Sequence, residues 1–117
     1  MENGPIVYSY GKHDFSDWKD VAEPIGSLVS MTRAAEAMEA HDRAVSMGIW
    51  ECSRGVWRRQ VLAAEFSYIL RGHCFFTPDG MTPVELRAGD SVYFPSNCVG
   101  TWDIREDLAK SYFIVSS

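Results

Sequence analysis

The side chains best suited to chemistry are one glutamate, Glu65, one arginine, Arg59, and the late pair Lys110 and Tyr112. Trp50, Trp57 and Trp102 add flat apolar surface. A glutamate can serve as general acid or base. An arginine can grip a carboxylate with two parallel hydrogen bonds, and an indole can wall a ligand pocket. Other chemistries lack their parts. Ser67 has no histidine at a predictable distance, and Cys52, Cys74 and Cys98 have no predictable base. Glycine-rich phosphate loops are missing. His13 falls in a polar N-terminal segment, His41 in a His-Asp turn and His73 just after a glycine, so each is expected to be solvated or capping. Arg54 and Arg58 are expected in solvent or beside nearby acids.

The elements that must position these groups are mainly strands. From Met47 onward Val, Ile, Tyr, Phe and Trp dominate, and turn residues recur at short intervals. Turns are expected at Ser53-Arg-Gly55, Pro78-Asp-Gly80, Ala88-Gly-Asp90 and Pro95-Ser-Asn97. Between them the pattern predicts strands over 47–52, 56–62, 66–70, 73–77, 84–86, 91–94, 100–104 and 111–115. So many short strands imply an antiparallel sandwich or barrel. Alternation puts Glu65, Ser67 and Ile69 on one face, and Phe66, Tyr68 and Leu70 on the other. Trp57, Arg59 and Val61 share a face, as do Gly100, Trp102 and Ile104. Lys110 and Tyr112 share one parity, and which face that is stays open. Toward the N-terminus, 6–8 suits a short edge strand, and the spacing of Phe15 and Trp18 suits one turn of helix. The stretch Thr32–His41 is rich in helix formers, yet its alanines fall on every face.

Glu65-Phe-Ser-Tyr-Ile-Leu-Arg-Gly72 is a glutamate, six residues and a glycine. Gly89-Asp-Ser-Val-Tyr-Phe-Pro95 is a glycine, five residues and a proline. Separated by one Pro-Asp-Gly hairpin, the two resemble the paired motifs of the cupin superfamily. Gly48-Ile-Trp-Glu-Cys-Ser-Arg-Gly55, Gly100-Thr-Trp102 and Lys110 extend the likeness to the small ureidoglycine aminohydrolase-like branch. The resemblance covers about residues 45–115. It implies an all-β fold, a double-stranded β-helix or jelly-roll barrel, with an N-terminal arm over 1–30 and the barrel over 31–117. It also implies strands over 32–38 and 43–52 around a turn at 40–42, against local helix propensity.

Cupins usually hold a divalent metal with two histidines and a glutamate of the first motif and a histidine of the second. Here those histidine columns fall on Arg59, Val61 and Gly100, and Glu65 alone is kept. One carboxylate cannot hold a first-row metal, which needs three or four converging donors. No metal or other cofactor is therefore expected. If Glu65 faces inward as the resemblance implies, Arg59 is the cation expected opposite it, either in a closing salt bridge or as a fork for a ligand carboxylate. The candidate ligand-binding residues are Trp50, Arg59, Glu65, Trp102, Lys110 and Tyr112. Glu65 is the candidate catalytic residue.

The 117 residues suit one domain, and 46% hydrophobic with 23% charged residues is enough for one core. A net charge of −5 disfavours nucleic acid as a partner. No apolar run nears the roughly 18 residues of a membrane span, and the first residues do not form a secretory signal. Three cysteines without Cys-x-x-Cys suit free thiols in a cytoplasmic setting. Three functions fit. One is a cupin without metal that binds a small anionic or ureido-type molecule. Another is a metal-independent aminohydrolase or isomerase using Glu65, and the third is an assembly module. Apolar residues on both faces of several strands lead to the expectation of a homodimer.

Overall fold

The fold is described from a computed structural model, which covers residues 4–5, 7–11, 14–36 and 45–115. Nine strands follow in chain order: β1 Lys19–Asp20, β2 Pro24–Ile25, β3 Met31–Glu36, β4 Val45–Cys52, β5 Gly55–Val61, β6 Ala64–Pro78, β7 Val84–Arg87, β8 Ser91–Phe94 and β9 Cys98–Val115. All pairings are antiparallel. β6 and β9 run beside each other from Ala64↔Val115 to Pro78↔Gly100 and form the spine. On the other edge of β9, its first half pairs with β5 and its second half with β4. On the other edge of β6, the first half pairs with β8 and the second with β7. The two long strands thus pass through two layers. One layer holds β1, β3, β4 and β8, the other β2, β5 and β7, as in a jelly roll.

Expected strands over 66–70 and 73–77 are one strand in the structure, and so are those over 100–104 and 111–115. The reason is the bend at Gly72. The β6–β9 register shifts between Ile69 and Cys74, a bulged stretch that turns the strand without ending it. Gly72 sits there at φ +99°, with the Asp107 carbonyl 2.5 Å from where a Cβ would stand. The shift also changes the inward parity, from Glu65, Ser67 and Ile69 to Cys74 and Phe76, all of them buried.

Residues 31–36 form a strand despite their helix-favouring composition. Every residue from Thr32 to Glu36 has a partner on β4, and Thr32 and Ala35 are buried. Pairing and burial outweigh a propensity of under about 1 kcal/mol per residue. Residues 37–44, with the expected turn at 40–42, lie outside the described residues.

No helical turn forms at Phe15 and Trp18. Both rings instead flank Arg33, whose guanidinium lies 4.2 Å from the Phe15 centroid and 4.6 Å from that of Trp18. Hydrogen bonds from Ser16 N–H to the Ala34 carbonyl (2.9 Å) and from Ala34 N–H to Ser16 Oγ (3.1 Å) hold this segment extended against β3. Val7 and Tyr8 are not in a strand, and Ile6 lies outside the described residues. The Tyr8 hydroxyl donates to the Glu36 carbonyl, and that of Tyr10 to Glu51 at 3.1 Å. Glu51 is buried and also receives Arg33 at 2.6 Å and Arg71 at 3.2 Å, so these contacts fasten the early chain to β3, β4 and β6.

The core lies between the layers. Phe94 of β8 meets Phe76 of β6 and Trp102 of β9 edge to face, with centroids 5.2 and 5.7 Å apart. Trp50 of β4 lies 6.2 Å from both Trp57 and Trp102. Ile69, Leu108, Cys52 and Cys74 complete the packing. Among the described residues no helix is long and apolar enough to cross a membrane.

Gly72→Ala combines a disfavoured φ with a clash against backbone. It is expected to destabilise the fold by about 1–3 kcal/mol. Urea denaturation of the variant beside the parent protein measures this.

Candidate functional site

Glu65 is the second residue of β6 and points between the layers, where only 3% of its side chain meets solvent. Lys110 reaches it from β9. Strand register sets Lys110 opposite Ile69, one inward position beyond Ser67, and its long stem runs back along the inner face. Lys110 Nζ stands 2.5 Å from Glu65 Oε2, and Ser67 Oγ donates to the same oxygen at 2.8 Å. Arg59 Nη2 is 3.9 Å from the other oxygen, Oε1. The expected placement therefore changes in one respect. The ammonium of Lys110 is the close counter-ion of Glu65, and Arg59 is the more distant cation. The face of Lys110 and Tyr112, open in the sequence, is the inner one.

Charge and burial compete at this pair. Desolvation pushes the Glu65 carboxyl upward, but Lys110, Ser67 and Arg59 together outweigh it and hold it below the ordinary glutamate value of 4.5. Burial also draws Lys110 below its ordinary value, against the attraction of Glu65. The ammonium has exchanged water for rings, lying 4.8 Å from the Trp50 centroid, 5.2 Å from Phe94 and 5.4 Å from Trp102.

A cavity of about 220 Å³ opens beside the pair, lined by Ala34, Glu36, Ser46, Trp50, Arg59, Glu65, Lys110, Tyr112 and Ile114. Five of the six expected ligand-binding residues share it. Trp102 does not line it and is buried beneath the ammonium as part of the core. Glu36 and Ser46, joined by a 3.0 Å hydrogen bond, were not expected here. Their presence depends on the β3–β4 register, which residue types do not announce. Tyr112 is half-buried, and burial, aided by Glu36 and Glu65, pushes its hydroxyl up to about 12. Arg59 donates no hydrogen bond among the described residues, and 30% of its side chain is exposed.

The other singled-out groups have structural roles. Arg58 grips both Asp79 oxygens, at 2.6 and 2.7 Å, and Thr101 at 3.0 Å. His73 pairs with Glu85 at 2.8 Å. Burial lifts the Cys52 and Cys74 thiols to about 11 and about 12, which removes them as thiolate nucleophiles near neutral pH. His13 and His41 lie outside the described residues.

The residues at the cupin ligand columns do not fit a metal. Val61 is buried in the core. Arg59 stands directly opposite Gly100 across β5 and β9. A Cβ at Gly100 would lie 2.7 Å from the Phe76 ring and 2.5 Å from the Thr77 carbonyl, so a ring fills the place of a ligand side chain. Glu65 is already engaged by an ammonium. Among the described residues no three His, Cys, Asp or Glu side chains converge.

Solved structures share this architecture. The EutQ protein of Clostridium difficile aligns with a TM-score of 0.67 at 12% identity, over 74% of this chain and 69% of that one. A DUF861-family protein of unknown function from Pseudomonas syringae aligns with a TM-score of 0.76 at 16% identity, over 91% of this chain and 45% of the other. A putative ethanolamine utilization protein Q of Salmonella typhimurium gives 0.63 at 13% identity, over 90% of this chain and 98% of that one. At such identities these likenesses establish the fold. No curated protein matches the chain. The family model of the EutQ-like cupin domain matches residues 39–112. That span runs from the approach to β4 through the motif strands to Tyr112, well over half of the chain, and this protein belongs to the EutQ-like cupin family.

Proposed function

We propose that this cupin binds a small carboxylate, of plain anionic or ureido type, in the cavity beside Glu65 and Lys110. In this reading an organic ion pair stands where cupins usually hold a metal. The observation that carries it is Arg59. Its guanidinium faces a cavity, is partly exposed, and has no hydrogen bond among the described residues although Glu65 is near. Lys110 has taken the close position on Glu65, which leaves the fork of Arg59 for another carboxylate. Trp50 offers a flat wall, and Glu36 can accept N–H groups such as those of a ureido compound. At about 220 Å³ the space is below the roughly 300–1,000 Å³ of drug-sized pockets, which favours a small molecule.

The alternative of Glu65 as a lone catalytic base, in an aminohydrolase or isomerase of the ureidoglycine aminohydrolase-like branch, is less favoured. Its Oε2 is already engaged by Lys110 and Ser67, so any proton it accepts comes first from Lys110 and not directly from a substrate. The unpaired Cys52, Cys74 and Cys98 support a cytoplasmic setting.

The same proposal includes a homodimer. Met47, Phe113, Phe66 and Tyr93 stand opposite one another in sequence across four neighbouring strands. Their exposures are 38, 41, 51 and 62%, so the outer face carries a continuous apolar row that a second copy would cover.

Three tests follow. In a thermal-shift series of small carboxylates and ureides, at least one is expected to raise the melting temperature. Arg59→Met should weaken that ligand by about tenfold or more, as loss of a charged hydrogen bond implies. No stabilisation by any member overturns the binding proposal.

Glu65→Gln strands a buried ammonium and is expected to cost about 3–5 kcal/mol, most of it recovered in Glu65→Gln with Lys110→Met. Because the folded carboxyl lies below 4.5, its contribution is complete above that value and is lost as pH falls through the lower folded value. Denaturant titrations of the parent and both variants, at neutral and at acid pH, read both effects.

Sedimentation at micromolar concentration should give the mass of two 13.2 kDa chains, and Phe66→Glu should give one.

A further inference from the structure

Lys110 is more than the counter-ion of Glu65. A buried ion pair is weak support for stability, since apolar residues of similar volume often do as well. This one is also not sealed in the core: both partners line an open cavity. We propose that Lys110 is a nucleophile whose amine condenses with the carbonyl carbon of a small 2-oxo acid to form an imine. The inference rests on the reading of the cavity as a carboxylate site, and it names the substrate class.

The geometry carries four parts of such a reaction. The amine end of Lys110 has lost its water to Trp50, Phe94 and Trp102, as activation of a lysine requires. A proton acceptor, Glu65 Oε2, lies 2.5 Å from Nζ and is oriented by Ser67. Arg59 approaches Glu65 from its other oxygen, so guanidinium and ammonium flank one carboxylate. A molecule whose carboxylate meets Arg59 would bring an adjacent carbonyl toward Nζ. Tyr112, on the same inner face, keeps its proton and can donate to a developing hydroxyl.

The step balances within the site. Lys110 passes one proton to Glu65 and becomes a neutral amine. The nitrogen lone pair attacks the carbonyl carbon, and a proton moves from nitrogen to oxygen to give a carbinolamine. The C–O bond then breaks, Glu65 returns its proton to the departing hydroxyl, and water leaves. The product is an iminium on Lys110 beside an ionised Glu65. It has the charges of the resting pair, so the rings and the carboxylate that hold the ammonium also hold the product. No oxidant, reductant or metal is needed.

The chain has three lysines, Lys12, Lys19 and Lys110, so labelling is easily mapped. The folded protein is incubated with pyruvate and sodium borohydride, and peptides are examined by mass spectrometry. Reduced pyruvate is expected on Lys110 at least about tenfold above Lys19, which lies on an exposed strand. Acetone, which has a carbonyl and no carboxylate, should label Lys110 far less. In Arg59→Met the advantage of pyruvate over acetone should disappear. If pyruvate raises the melting temperature but labels only Lys12, Lys19 and the α-amine, the nucleophile is refuted while the carboxylate site stands. If pyruvate gives neither a shift nor a Lys110 adduct, and no other carboxylate gives a shift, both fail. The mapping uses the parent protein, so it does not depend on the folding of a Lys110 variant.

Discussion

Two opposite charges held 2.5 Å apart between packed sheets impose the strictest condition on this molecule. Glu65 and Lys110 meet solvent only through the cavity they line, with 3% and 4% of their surface exposed, so each depends on the other for its charged state. Glu65 stands on β6 and Lys110 on β9, the two strands that form the spine. The pair thus requires the register of the longest strand pairing in the fold. It also requires the inner face of β9 to keep one parity from Gly100 to Tyr112, while β6 changes parity at its bend. Ser67, two residues from Glu65 and also buried, supplies a further hydrogen bond that fixes the carboxylate.

Around this pair the aromatic residues divide the interior. Phe76, Phe94 and Trp102 pack edge to face and fill the end where a ligand side chain at Gly100 would have stood. Trp50 lies between that packed end and the open one, touching the core on one side and the cavity on the other. At the positions where the cupin likeness implies histidines stand Arg59, the core residue Val61 and Gly100 against the Phe76 ring, and Glu65 is paired with the Lys110 ammonium. The interior keeps a polar centre, in which one carboxylate faces an ammonium and a guanidinium.

The early part of the chain is tied to the barrel by polar and cation–π contacts rather than by a long strand. Arg33 between Phe15 and Trp18, and Glu51 beneath Arg33, Arg71 and Tyr10, form one connected patch across β3, β4 and β6. Tyr8 touches the Glu36 carbonyl, at the end of the strand that also contributes Glu36 to the cavity. The first strands and the rim of the site are therefore physically continuous.

Alternation of residue types determined much by itself. The β class, the common face of Glu65, Ser67 and Ile69, and the shared face of Arg59 with Trp57 and Val61 follow from spacing along single strands, while the inward sense of Glu65 and the three histidine columns came from the cupin likeness. The motif spacing around Glu65 and Pro95 carried the fold family. Tertiary structure decided what depends on neighbours distant in sequence. Helix-favouring residues 32–36 became strand because β4 paired with each of them. Phe15 and Trp18 took their places from Arg33, not from a helical turn. Glu36 and Ser46 entered the site through a register that no local pattern encodes. Above all, the choice of Lys110 over Arg59 as the partner of Glu65 needed three dimensions. Both are cations, and only the alignment of β9 against β6, and of β5 against β9, sets one at 2.5 Å and the other at 3.9 Å. Side-chain parity is a property of one strand, whereas the distance between two charges is a property of how strands are paired.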